Sequence, residues 1–222
     1  MKTYIIAIDG PAGVGKSTVA KRLASELQFT YVDTGAMYRA IALYYIEKDL
    51  PVDESTVVKH LDEIEIELEY IQDVQNIFLN GKNVTDFIRT PEVSTGSSKI
   101  AVIGDVRKKL VKLQREIGRK QNVIMDGRDI GTRVFPNADV KLFLTASCEE
   151  RAKRRVLEMR EKGIEISYEE ILESIRFRDK NDSGREIDPL RPADDAIIID
   201  NTYESLEQTV DRIKTIIKER LQ

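Results

Sequence analysis

The stretch Tyr4-Ile-Ile-Ala-Ile-Asp-Gly10-Pro-Ala-Gly-Val-Gly15-Lys16-Ser17-Thr18 joins a short apolar run to a glycine-rich loop. The loop fits the pattern Gly-x4-Gly-Lys-Ser/Thr, and Ser17–Leu27 then repeats apolar side chains at helical spacing. A strand, a glycine loop and a helix in this order favour phosphate binding, because backbone N–H groups and the helix N-terminus face the anion. A glycine turn without a ligand is the alternative interpretation.

This motif assigns roles to particular side chains. Lys16 is expected to be exposed in the empty loop and to reach the β- and γ-phosphates of a nucleotide, and Ser17 to be a ligand of Mg²⁺. The residues predicted to bind ATP are Gly10, Pro11, Ala12, Gly13, Val14, Gly15, Lys16, Ser17 and Thr18.

Five apolar runs lack polar alternation, which is typical of strands covered on both faces of a parallel sheet. They are Tyr4–Ile8, Thr30–Val32, Val123–Met125, Leu142–Thr145 and Ala196–Ile199. Helical patterns lie between and after them, the last at Leu206–Leu221. The chain is therefore predicted to be an α/β protein with a five-stranded parallel sheet flanked by helices.

Residues 50–90 do not follow this alternation of strands and helices. Apolar side chains at Ile64, Ile66, Leu68 and Tyr70 alternate with glutamates, and Asn80-Gly81 is a hairpin turn signal between two short apolar runs. The pattern predicts a small antiparallel β insertion.

Residues 147–192 read as two polar helices. Ser147 with Glu150 and Ser167 with Glu170 fit the capping box, and Gly163 is placed to end the first helix. The segment has little apolar content, which predicts loose packing and mobility.

Bulk composition excludes several classes of protein. The 222 residues carry a formal net charge of −4, which argues against a nucleic-acid polymer or an anionic membrane as the main partner. No apolar run reaches the ~20 residues that span a bilayer, and the apolar stretch before Asp9 is too short for a signal peptide. The single Cys148 fits a reducing cytoplasm.

Two polar clusters follow predicted strands. In Asp33-Thr34-Gly-Ala-Met-Tyr-Arg39, Arg39 could grip a second phosphate, while Asp33 could equally be a helix N-cap. In Asp126-Gly-Arg128-Asp129-Ile-Gly-Thr132, a carboxylate at a strand end could face Mg²⁺ or an acceptor oxygen, and a solvated turn is the alternative.

These clusters, the glycine loop and the arginine-bearing helices after Ser147 resemble bacterial cytidylate kinases, in order and over essentially the whole chain. The resemblance implies a single P-loop kinase domain over 1–222, with a monophosphate-binding region at 38–91 and a mobile lid at 148–192. It implies transfer of the γ-phosphoryl group of ATP to CMP and dCMP, with Mg²⁺ as the cofactor. A monomer that binds no nucleic acid and no membrane is expected.

The resemblance also implies roles for residues. Asp33, Thr34 and Arg39 would hold the phosphate and sugar of CMP; Ser98, Arg107 and Asp129 would face the cytosine; Arg178 and Arg185 would reach CMP or the transferring phosphoryl group. Ser97 could take the place of Ser98, and Arg107 could instead be a surface residue of a basic helix. The predicted catalytic set is Lys16, Asp126, Arg128, Arg154, Arg155 and Arg178.

Cytosine chemistry supports the assignment of the base-facing pair. A carboxylate can accept from the 4-amino group and a guanidinium can donate to N3 or O2, whereas uracil reverses the polarity at positions 3 and 4.

The predicted lid, 148–192, has an alternative interpretation. Eight arginines and twelve acidic residues lie between Glu149 and Arg191, so a solvated, salt-bridged surface is possible. Helical spacing places Arg151, Arg154 and Arg155 on one face, and Arg160 and Arg176 are expected to be ordinary surface residues. A kinase for another acceptor (UMP, TMP or shikimate) and a nucleotide-dependent switch are the other functional hypotheses.

Overall fold

A computed structural model describes residues 3–71, 74–161 and 163–221 of the chain. In chain order its elements are β1 (Ile5–Asp9), α1 (Lys16–Leu27), β2 (Thr30–Asp33), α2 (Thr34–Glu47), α3 (Glu54–His60), β3 (Ile66–Ile71), β4 (Val74–Leu79), β5 (Lys82–Asn83), α4 (Pro91–Ile100), α5 (Gly104–Gly118), β6 (Val123–Gly127), β7 (Val140–Thr145), α6 (Cys148–Glu161), α7 (Tyr168–Ser183), β8 (Ile197–Asp200) and α8 (Leu206–Leu221). A 3₁₀ turn, Leu61–Glu63, and a π-helical turn, Ile130–Val134, complete the set.

The chain divides into two compact units. The first unit contains the residues up to Thr30 and those from Gln121 onward, and the second unit is Tyr31–Lys120. The region predicted to bind the monophosphate, 38–91, lies inside the second unit, and the predicted lid, 148–192, lies inside the first.

All five predicted strands form one sheet, in the order β2-β6-β1-β7-β8. Strand β1 pairs in parallel with β6 and β7, and β7 pairs in parallel with β8. The register aligns Asp9 with Gly127 and Ile8 with Asp126, so β1 and β6 end level with each other. The carboxyl ends of these strands therefore present their polar residues at one edge of the sheet.

The predicted β insertion is confirmed. Strands β3, β4 and β5 form a separate antiparallel sheet within the second unit. Asn80 and Gly81 have φ values of 48° and 78°, as both central residues of a tight hairpin turn require. In β3 the side chain of Ile66 is buried and its neighbour Glu67 is exposed, which is the expected alternation.

The two polar helices α6 and α7 pack together more closely than their composition predicted. Ala152 and Val156 of α6 and Ile171 and Ile175 of α7 are all buried in one cluster, so the prediction of loose packing between these helices was wrong. The few apolar residues suffice because these four side chains face each other, although Leu157 and Phe177 stay exposed. Gly163, with φ 71°, ends α6 as predicted, and the mobility of the segment stays a prediction.

Only one of the two predicted capping boxes is complete. At the start of α7, Ser167 and Glu170 exchange both hydrogen bonds. At the start of α6 the Ser147 hydroxyl accepts from the N–H of Glu150, but the N–H of Ser147 donates to the Thr202 hydroxyl. A partner from the loop after β8 thus replaces the glutamate.

Among the helices of the described residues, none has the length and apolar character that crossing a membrane requires.

Candidate active site

The glycine loop connects the end of β1 to α1. Gly10 has φ 149°, and a Cβ atom added there would lie 2.1 Å from the carbonyl oxygen of Leu144, so no larger residue fits. Gly13 has φ 76°, in the left-handed region that glycine adopts most readily. Pro11, Ala12 and Val14 are buried between these glycines, whereas Thr18 is exposed on α1.

Lys16, the first residue of α1, is buried in this loop. Its ammonium group donates to the carbonyl oxygen of Pro11 at 2.7 Å, so the prediction that the side chain is exposed was wrong. Burial lowers the pKa of Lys16 well below its usual value, and the nearby Arg128 charge adds to this, while Asp126 and Asp9 oppose it. A phosphate arriving in the loop would restore the environment that favours the charged ammonium.

Ser17 and Asp126 lie together at the mouth of the loop. The Ser17 hydroxyl donates to a carboxylate oxygen of Asp126 at 2.7 Å, although 109 residues separate them in the chain. A hydroxyl and a carboxylate beside a phosphate site are the oxygen ligands that Mg²⁺ uses in P-loop enzymes. These two residues fit the predicted Mg²⁺ site.

Arg128 extends from the end of β6 toward α7. Its Nε donates to Asp182 at 2.8 Å, and its NH1 donates to the carbonyl of Gly127 at 3.2 Å. Burial opposes the charge on Arg128, but Asp182 and Asp126 outweigh it and keep the pKa of the guanidinium above its usual value. Arg128 therefore stays a cation close to Lys16 of the glycine loop.

Asp182 is a site residue that the sequence reasoning missed. Burial alone would raise its pKa, but Arg128, Arg185 and Arg178 together hold the pKa of this carboxyl below its usual value. Arg185 also donates to the backbone carbonyl of Asp182 at 3.3 Å. Asp182 follows Arg178 by four residues on α7, and this helical spacing was the sequence signal that could have identified Asp182.

Asp9, the last residue of β1, was also missed. Its carboxylate is buried and accepts from the N–H groups of Ile130 and Gly131, at 2.8 and 2.7 Å. Burial raises its pKa to about 7, and the neighbouring Asp129 adds to the shift. Asp129 is itself buried and precedes the π-helical turn.

In the second unit, Asp33 is the helix N-cap that the sequence allowed, and its role in binding CMP stays a prediction. Its side chain caps α2 by accepting from the N–H of Ala36, and it pairs with Arg39 at 2.8 Å. The Nε of Arg39 is buried without a hydrogen-bond partner among residues 3–71, 74–161 and 163–221. Arg89, which the sequence reasoning missed, approaches Asp33 at 3.4 Å and is about half exposed.

Thr34, Arg107 and the two candidate serines lie in the same unit. Thr34 is buried as the first residue of α2. Arg107 is buried as well, and it donates to the Ala101 carbonyl at 3.1 Å, so a surface position for Arg107 was wrong. Ser97 and Ser98 both donate to the carbonyl of Ser94, at 2.8 and 3.3 Å, which leaves both as candidates.

The three arginines predicted to share one face of α6 have separate partners. Arg154 donates to the backbone carbonyl of Asn201 at 2.7 Å, and Arg155 pairs with Glu158 at 2.5 Å. Arg160 and Arg176 are exposed, as predicted.

Arg151 is almost fully buried and supports the glycine loop through a hydrogen bond. Its guanidinium donates to the carbonyls of Ala12 and Ala146, at 2.9 and 3.0 Å, and forms a two-pronged pair with Asp179. Arg151 therefore connects the glycine loop with both α6 and α7.

Replacing Arg151 with alanine should lower the free energy of unfolding by about 3 kcal/mol or more, because it leaves Asp179 and two carbonyls without their donor. Arg176→Ala is the matched control, since the exposed Arg176–Glu149 pair should contribute less than about 1 kcal/mol. Urea denaturation measures both. Equal losses in the two variants would contradict the supporting role of Arg151.

A parallel sheet with a glycine loop after β1, a buried lysine and a serine–carboxylate pair is the arrangement of a P-loop nucleotide-binding protein. Comparison with known proteins narrows the class. A family model described as cytidylate kinase matches residues 6–219, and the chain belongs to that family.

The chain is 49% identical over 214 residues to a cytidylate kinase of Caldicellulosiruptor bescii, covering 96% of this chain and 95% of that protein. It is 48% identical over 220 residues to a cytidylate kinase of Bacillus subtilis, covering 99% and 98% of the two chains. An uncharacterized protein from Eubacterium ventriosum shares the fold, with a TM-score of 0.53, 17% identity and coverage of 98% and 99%.

Proposed function

We propose that this protein transfers the γ-phosphoryl group of ATP to CMP and dCMP, giving ADP and CDP or dCDP. The observation that carries the proposal is the cluster at the ends of β1 and β6, where Lys16, the Ser17–Asp126 pair and Arg128 surround the glycine loop. Membership of the cytidylate kinase family supports CMP as the acceptor.

The residues of the glycine loop would bind ATP by directing backbone N–H groups at its phosphates. Lys16 would exchange the Pro11 carbonyl for phosphate oxygens, and this exchange favours its charged form. Ser17 and Asp126 would hold Mg²⁺, which neutralises phosphate charge when bound. Arg128 would add a fixed positive charge, because Asp182 holds its guanidinium in place.

The residues proposed to bind the acceptor nucleotide are those that the family resemblance implies. In the second unit, Asp33, Thr34 and Arg39 would hold the phosphate and sugar, and Ser98 and Arg107 would face the base. In the first unit, Asp129 would accept from the cytosine amino group, and Arg178 and Arg185 would bind acceptor or transferring phosphate. Arg154 and Arg155 are proposed to act once both substrates are bound, since phosphoryl transfer spreads charge over several oxygens.

The test is a panel of acceptors in an assay that couples ADP release to a visible readout. CMP and dCMP should be phosphorylated with the highest kcat/KM, and UMP, TMP and shikimate far less well. Slow ATP hydrolysis that no acceptor accelerates would indicate a nucleotide-dependent switch instead. Omitting Mg²⁺ from the same assay should abolish turnover.

Replacing Asp129 with asparagine should reduce discrimination between CMP and UMP. A carboxylate only accepts hydrogen bonds, whereas an amide can rotate to donate to O4 of uracil. The loss of a charge-assisted bond to the cytosine amino group should cost about 1.5–3 kcal/mol with CMP. The measurement is kcat/KM for both acceptors, and an unchanged ratio would mean that Asp129 does not read the base.

A monomeric state and a cytoplasmic location remain predictions. Size-exclusion chromatography with light scattering at micromolar concentration tests the first, and cell fractionation tests the second.

A further inference from the structure

Asp9 has no part in the phosphoryl transfer proposed above, although it lies directly before the glycine loop. Its side chain is only 4% exposed, which is costly for a carboxylate unless hydrogen bonds compensate. Each of its oxygens accepts one backbone N–H, from Ile130 at 2.8 Å and from Gly131 at 2.7 Å. Both oxygens are thus already engaged by the protein, so Asp9 acts on the loop after β6 rather than on a ligand.

The loop that Asp9 holds is the one that carries Asp129. The carbonyl of Asp129 accepts from the N–H groups of Arg133 and Val134, at 2.8 and 3.2 Å, which closes the π-helical turn. The N–H groups of the next two residues, Ile130 and Gly131, go to Asp9. The backbone on the carboxyl side of Asp129 is therefore fixed by hydrogen bonds within the turn and by the carboxylate of Asp9.

The same loop also lies close to Lys141, a residue of β7. A Cβ atom added at Gly131 would lie 3.3 Å from Cδ of Lys141 and 3.4 Å from the Asp9 carboxylate. Both side chains therefore lie close to Gly131, on the side where its Cβ atom would be. The Lys141 ammonium donates to the Pro136 carbonyl and pairs with Asp195, which keeps its stem beneath the loop. The loop has little freedom to shift while these contacts persist.

We propose that Asp9 is a positioning residue for acceptor specificity: its bidentate hold on the amides of Ile130 and Gly131 sets where the loop presents Asp129 to the base of the acceptor nucleotide. This inference rests on the proposed function, since it assumes that Asp129 reads the base. It connects β1, which leads into the ATP-binding loop, with the segment that selects the acceptor.

The sharpest variant is Asp9→Asn, which keeps the shape of the side chain. The amide has one accepting oxygen, and its NH₂ group would face an N–H donor, so one of the two backbone bonds is lost. Because small displacements of a binding group reduce turnover steeply, KM for CMP should rise about tenfold or more, and the CMP/UMP ratio of kcat/KM should fall. KM for ATP should change less than about threefold.

Asp139→Asn is the matched control. The Asp139 carboxylate also accepts a backbone N–H of β1, that of Ile5 at 2.9 Å, but at the opposite end of the strand. Its replacement should leave the CMP/UMP ratio unchanged while lowering the melting temperature. If Asp9→Asn likewise lowers only the melting temperature and leaves the ratio unchanged, Asp9 is a purely structural residue and the inference is overturned.

Two further measurements keep the result decisive. Should Asp9→Asn fail to fold, Gly131→Ala adds a Cβ atom 3.4 Å from the Asp9 carboxylate, which crowds the same hydrogen bond while retaining the carboxylate, and it should reduce the CMP/UMP ratio in the same way. An unchanged ratio in a folded Gly131→Ala variant would also overturn the inference. Wild-type protein that phosphorylates no CMP would overturn the proposed function itself, which the acceptor panel establishes before any variant is made.

Discussion

Replacing Lys16 with alanine should lower kcat for CMP phosphorylation by about 10²–10³-fold and leave the fold intact. The ammonium group of Lys16 places a positive charge at the start of α1, and it is proposed to act on the phosphates of ATP. The protein should lose little stability, because the removed charge is buried and its hydrogen bond to the Pro11 carbonyl should be worth only about 1 kcal/mol. Steady-state kinetics and thermal denaturation measure the two effects separately.

Lys21→Ala, at an exposed position on the same helix, is the control and should retain normal turnover. Near-normal turnover in Lys16→Ala would contradict the proposed role of Lys16. A large loss of stability in Lys16→Ala would mean that its bond to the loop carbonyl, rather than phosphate binding, explains its burial.

Replacing Arg178 with alanine should lower kcat by about 10³-fold while KM for ATP changes much less. An arginine that acts on the transferring phosphoryl group stabilises charge that is fully developed only in the transition state. Arg178 is half-buried on α7 and contributes to the lowered pKa of Asp182, the same carboxylate that pairs with Arg128. The measurement is kcat and both KM values over a grid of ATP and CMP concentrations.

Arg160→Ala supplies the comparison within the same segment, because Arg160 is exposed near the end of α6. Arg160→Ala should leave kcat and both KM values nearly unchanged. Arg155→Ala is expected to resemble Arg178→Ala, although Arg155 must first leave its pair with Glu158. Small and equal effects at all three positions would show that these arginines form only a solvated, salt-bridged surface.

Hydrophobic periodicity and turn residues predicted most of the fold. Local patterns predicted the five strands, the hairpin at Asn80-Gly81 and the helix Leu206–Leu221. These predictions were possible because each pattern involves residues that are close together in the chain. The packing of α6 on α7 was missed because a segment poor in apolar residues can still form a core when those residues face one another. Which side chains face each other depends on the turn between the helices, and composition does not contain that information.

The site was less predictable than the fold. Ser17 and Asp126 were each proposed from motifs, but their hydrogen bond depends on the pairing of β1 with β6 across more than 100 residues. The burial of Arg107 and Lys16 was not evident from the local sequence, which left a surface position open for Arg107 and placed Lys16 in solvent. Asp9 and Asp182 were missed for the same reason, since their importance comes from the groups that surround them.

The buried guanidinium of Arg151 restricts where any closing motion of residues 148–192 can occur. Arg151 lies in the first turn of α6, and its partner Asp179 lies in the last turns of α7, so one ion pair joins the two helix ends nearest the glycine loop. Movement that broke this pair would also release the Ala12 carbonyl of the glycine loop. Any hinge should therefore leave these ends in place, and displacement should grow toward Gly163, at the far end of the helical hairpin.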